Sequence, residues 1–76
     1  MKHVIEIFDA TSEELLQSVE IPQSCSEQLA ELMGWTQPED PYDGYDLLPD
    51  QVETLEKWTR CTLNGDNRII QIVCIE

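Results

Sequence analysis

The 76-residue chain carries 16 acidic and four basic side chains, a formal charge of −12 against the magnitude of about 2 to 8 that suffices for solubility of a small domain. Such a field repels nucleic acid and anionic lipid and attracts a basic protein surface. A hydrophobic content of 41% argues against disorder, and the length allows one small domain that buries roughly 60% of its unfolded surface.

The opening segment, Lys2 to Asp9, alternates: His3, Ile5 and Ile7 fall on one face, and Val4, Glu6 and Phe8 on the other. Leu15 to Ile21 repeats the pattern, with Leu15, Val19 and Ile21 sharing a face with Gln17. The short polar stretch from Ala10 to Glu14 between them predicts an antiparallel hairpin, and Pro22 stops its second strand. Ser24 followed by Glu27 matches a capping box and predicts a helix start, with Leu29, Leu32 and Met33 as the apolar stripe. Gly34 supplies the left-handed terminus.

Trp35 to Leu48 reads as irregular, because Pro38, Pro41 and Gly44 interrupt it. A loop of that length in a small domain is more often functional than filler. Pro49 at a first helical position, with Asp50 and Glu53 in the opening turn, predicts a second helix. Val52, Leu55 and Trp58 mark its buried stripe, and Lys57 and Arg60 complement its C-terminal dipole. Asn64–Gly65–Asp66–Asn67 is a turn, and Arg68 to Glu76 is a last strand apolar on both faces, suited to a central position. The expectation is an α+β domain spanning 1–76: a three-stranded, mainly antiparallel sheet with two helices on one face, in the order β-β-α-α-β.

Chemistry finds little support in the residues. There is one histidine, no nucleophile elbow and no Gly-rich phosphate loop, so the chain is not expected to be an enzyme or to hold a cofactor. Cys25, Cys61 and Cys74 lack C-x-x-C spacing, and a zinc site would need a fourth ligand; the expectation is small buried thiols and no metal. An EF-hand alignment on Gly44 places Pro41 at a ligand position and Asp50 where a bidentate Glu belongs, and it fails. No basic segment precedes an apolar one, and no apolar run could span a bilayer, so a soluble cytoplasmic protein is expected.

The seven carboxylates from Glu39 to Glu56 meet no Lys or Arg before Lys57, and aromatics lie among them. Glu39, Asp40, Tyr42, Asp43, Tyr45 and Asp46 are the candidate partner-binding residues, since rigid aromatics give contact area and carboxylates pair with basic groups. Trp35 is expected to close the core instead. A second candidate is the sheet face away from the helices, around Val4 and Phe8 and rimmed by Glu6 and Glu20.

Ile5 to Asp9, Gly34–Trp35 and Gly44 to Gln51 together resemble a family of small bacterial proteins of unknown function. Its pattern is an IEIFD-like opening strand, a GW after the first helix, a YGYDL-x-P-x-Q segment and a closing apolar strand. Leu48 departs from it, standing where that pattern more often has Ser or Thr. The chain also resembles the small acidic immunity partners of contact-dependent inhibition and polymorphic toxin systems. That resemblance implies a partner: a basic toxin C-terminal domain, frequently a nuclease, occluded at its substrate-binding surface. A nucleic-acid mimic that inhibits a host or phage DNA-binding protein is the alternative from another class.

Overall fold

The computed structural model describes residues 2–75. Its strands and helices are β1 (His3–Asp9), β2 (Leu15–Glu20), α1 (Ser26–Met33), β3 (Tyr45–Asp46), α2 (Pro49–Thr59) and β4 (Arg68–Cys74). The sheet is antiparallel in every pairing and runs β2-β1-β4-β3. The α+β class holds, but the sheet has four strands, not three. The added strand is the two-residue β3, which pairs Tyr45 with Ile72 and Asp46 with Gln71 inside the segment expected to be irregular. A two-residue pairing leaves no alternation long enough to read, and the flanking Pro41 and Gly44 mask it further.

Register sorts the side chains into two layers. On one face lie His3, Ile5, Ile7, Ile70 and Ile72, with Val19 opposite Ile5. Ile5, Ile7 and Ile72 form one buried cluster with Val19, Ile21, Leu29 of α1, Val52 and Leu55 of α2, and Leu63 from the segment between α2 and β4. Both helices therefore cover the same face. The opposite face presents three rows, Glu20–Val4–Val73, Ser18–Glu6–Gln71–Asp46 and Leu15–Phe8–Ile69. Leu15 is a correction to the alternation reading. Between Ile7 and Phe8 the register shifts at a bulge in which Leu16 is the extra residue, so Leu15 sits opposite Phe8 rather than in the core.

Local chemistry explains the connections. Asp9 turns the hairpin: its carboxylate Oδ1 accepts the N–H groups of Thr11 (2.8 Å) and Ser12 (2.9 Å), while Glu13 takes a left-handed conformation at φ 63°. The expected Ser24 capping box is not formed. Gln23–Cys25 makes a 3-10 turn first, and α1 begins at Ser26 with Cys25 before it and no side-chain cap. Gly34 closes α1 at φ 71°, where its N–H bonds Glu31 O at 3.2 Å and the Trp35 N–H bonds Ala30 O at 3.0 Å. Pro49 opens α2 as expected. Leu48 has no side-chain oxygen to cap with, so half of a capping box remains: the Gln51 Oε1 accepts the Leu48 N–H at 2.8 Å.

The last connection is held by a clamp. Glu56 on α2 points one carboxylate oxygen at the N–H groups of Leu63 (2.7 Å) and Asn64 (3.0 Å). The clamp pairs these donors in a segment without regular structure, where Leu63 is seated in the core at 0% exposure. Among the described residues no helix is long and apolar enough to cross a membrane.

Candidate functional site

The six candidate residues divide into scaffold and display. Asp40 belongs to the scaffold. Its Oδ2 accepts the N–H groups of Thr36 and Gln37, each at 3.0 Å, which closes the chain back on itself before a 3-10 turn over Asp40–Tyr42. Tyr45 is scaffold as well: its hydroxyl donates to the Asp40 carbonyl at 2.8 Å, and its ring packs on Trp35 with centroids 5.7 Å apart. Burial raises the Tyr45 pKa above the ordinary tyrosine value, and the carboxylates of Asp43 and Asp40 add to the rise.

Trp35 lies between Tyr45 and His3, with the imidazole centroid 5.3 Å from its own. His3, buried on β1, reaches Pro41 O with Nε2 at 2.8 Å. A carbonyl only accepts, so Nε2 carries the proton. The row His3–Trp35–Tyr45 thus ties the first strand to the acidic segment from beneath, as aromatic packing with polar tips allows. Trp35 closes the core, in accord with its place directly after α1. The fastening by His3 was not foreseen; the one available signal was a polar residue on the apolar face of a strand.

Glu39, Tyr42, Asp43 and Asp46 form the display. Glu39 and Asp43 are solvent-exposed, and Tyr42 is 60% exposed. An exposed tyrosine between two acidic residues, on a backbone fixed by Asp40 and His3, can enter a contact without a large ordering cost. Asp46 lies elsewhere. It stands on the sheet face away from the helices, where its Oδ1 accepts from the Gln71 amide at 2.8 Å in the same row as Glu6. The structure therefore does not gather all six residues on one surface. Three lie on the loop, one on the open sheet face, and two hold the segment together.

The charge around this region is largely uncompensated. Among the described residues one ion pair forms, Lys2 to Glu20 at 3.3 Å, at the rim of the open face. No group of three or more His, Cys, Asp or Glu among the described residues is arranged to hold a metal ion. Cys25, Cys61 and Cys74 are half-buried in separate parts of the fold.

The model of one family, a domain of unknown function (DUF7683), matches residues 2–73. The chain belongs to this family. The match runs from the strand that carries His3 to the central β4, so it takes in the sheet, both helices and the acidic segment of this DUF7683 domain. Comparison with curated proteins and with solved structures gave no match.

Proposed function

We propose that the protein is a non-catalytic immunity protein of the cytoplasm that binds a basic toxin domain, a nuclease by preference, and covers its substrate-binding surface. The observation that supports this most is the pairing of an uncompensated −12 charge with an exposed, backbone-fixed Glu39–Tyr42–Asp43 edge. A nuclease carries a basic groove for phosphates. Carboxylates set on a rigid segment enter such a groove as phosphates do, and Tyr42 supplies the apolar contact that slows dissociation. Long-range attraction speeds the encounter and is screened beyond about 10 Å at 0.1 M salt.

The test is co-expression with the product of the neighbouring reading frame, followed by binding measurements on the purified pair. Asp43→Asn keeps the side-chain shape and removes one charge, as does Asp46→Asn. Wild type is expected to protect cells and to bind more slowly as salt rises. The double variant is expected to bind about thirtyfold more weakly or worse for each carboxylate that the complex desolvates. Unchanged affinity and unchanged protection in the double variant would remove these carboxylates from the mechanism. A neighbour that is neither toxic nor bound would remove the proposal itself.

A further inference from the structure

The helices, the aromatic row and Leu63 all serve one side of the sheet, and none of the apolar side chains of the other side joins the core cluster. Its lower row is apolar: Leu15, Phe8 and Ile69 in register, with Leu16 beside them at the bulge. Leu15 and Leu16 are 51% and 50% exposed, and Ile69 is exposed too. The next row, Ser18–Glu6–Gln71–Asp46, is polar and acidic. The third, Glu20–Val4–Val73, returns to apolar side chains with an acid at its end. A bulge that leaves two consecutive leucines exposed at the start of an edge strand is costly unless something covers them.

We propose that this open face is a docking site for a basic protein surface, with an apolar side chain of the partner seated on Phe8, Leu15 and Leu16. The inference rests on the toxin-inhibitor reading for the partner's identity and locates the contact that the acidic loop alone does not supply. Charge decides the occupant. Glu6, Glu20 and Asp46 stand on or beside the apolar rows, and among the described residues the one ion pair there joins Lys2 to Glu20. A second copy of the chain would bring these carboxylates against their own kind, with −12 on each side. A partner with lysines or arginines flanking an apolar group meets both features at once. Asp46 and the pairing of β3 with β4 make the face continuous with the acidic loop, so one partner can span both.

The experiment uses the full chain, isotope-labelled for amide spectra, with two tripeptide amides as probes: Lys-Phe-Lys and Glu-Phe-Glu. Lys-Phe-Lys is expected to move the amides of Glu6, Phe8, Leu16, Asp46 and Gln71 together. Glu6→Gln with Asp46→Asn is expected to weaken that binding roughly two- to fivefold for each charge removed. Leu16→Lys, at an exposed position that leaves the core untouched, is expected to abolish the clustered shifts. Shifts gathered instead on Glu39–Asp43 or on α2 would overturn the proposal. Equal binding of Glu-Phe-Glu would do the same, as would a dimer in sedimentation that protects this face from exchange. If the mapping fails while the co-expressed toxin is still neutralised, the face is wrong and the inhibitor reading stands. Clustered shifts with Lys-Phe-Lys alone support the face whatever the neighbouring gene encodes.

Discussion

Leu63→Ala probes the least conventional part of the core. Leu63 belongs to no helix or strand, yet it is 0% exposed and packs in the same cluster as Ile5, Leu55 and Ile72. Truncating a leucine in such a place costs about 2–5 kcal/mol, the transfer of the lost carbons plus the cavity they leave. At about 0.05–0.15 kcal/mol per residue, a 76-residue domain has roughly 4–11 kcal/mol in total, so the loss is a large share of it. With about 4–8 °C of melting temperature per kcal/mol at this size, the midpoint is expected to fall by at least about 8 °C. Urea unfolding is the assay, and the slope m is expected to stay constant while the midpoint drops, by roughly 2 M or more at m near 1 kcal/mol/M. Leu48→Ala is the control, because Leu48 is 64% exposed and its loss leaves no cavity. Glu56→Gln, which weakens the clamp on the Leu63 N–H, is expected to be less than additive with Leu63→Ala, since both act on the same segment. A cost for Leu63→Ala no larger than that of Leu48→Ala would refute the placement of this segment in the core.

Other perturbations have equally definite signs. The Glu56 carboxyl is held below its ordinary pKa by the Asn64 and then the Leu63 N–H groups, and Asp9 by those of Ser12 and then Thr11. A depressed folded pKa contributes stability above the unfolded value and loses it as pH falls through the folded one. The stability gap between wild type and Glu56→Gln, measured by urea unfolding, is therefore expected to narrow from about pH 6 toward pH 3. At the alkaline end the sign reverses: Tyr45, raised by burial and by Asp43 and Asp40, contributes below the unfolded tyrosine pKa and loses that contribution as pH climbs through the folded value. Tyr45→Phe is expected to flatten that part of the stability profile in chemical denaturation. Gly34→Ala is expected to cost about 1 kcal/mol in thermal unfolding, all of it from the left-handed backbone at φ 71°, because no heavy atom lies within 4 Å of an added Cβ.

Long repeating patterns could be read from the sequence, and single hydrogen bonds could not. β1, α2 and β4 announced themselves through alternation, Pro49 and a two-faced apolar run. The bulge at Leu16 was hidden because a strand's period of two carries no mark of a skipped residue, so Leu15 was assigned to the wrong face. Glu56 meets the N–H groups of Leu63 and Asn64 across seven and eight positions of chain, a contact for which the local sequence has no signature. For the candidate surface, composition located the segment but could not separate Asp40, which folds one oxygen back onto the N–H groups of Thr36 and Gln37, from Asp43, which stands in solvent. Both are aspartates two residues from Tyr42 or nearer, and only the turn geometry tells them apart.

The strand that completes the sheet is the last of the described elements, and it pairs with the first: His3 meets Cys74 and Asp9 meets Arg68. Each of those contacts closes a loop of nearly the whole chain, an ordering cost that must be met before the pairing stabilises anything. Until that pairing forms, β1 has an unpaired edge in the β1–β2 hairpin, and Ile5 and Ile7 lack Ile72 and Ile70 beside them. Chains caught in that interval would stick to one another through the exposed hairpin edge. Most of the acidic residues precede β4 in the chain, and their mutual repulsion opposes such association. The same acidity that keeps the folded domain soluble thus also opposes association through its own unpaired strand edge while it folds.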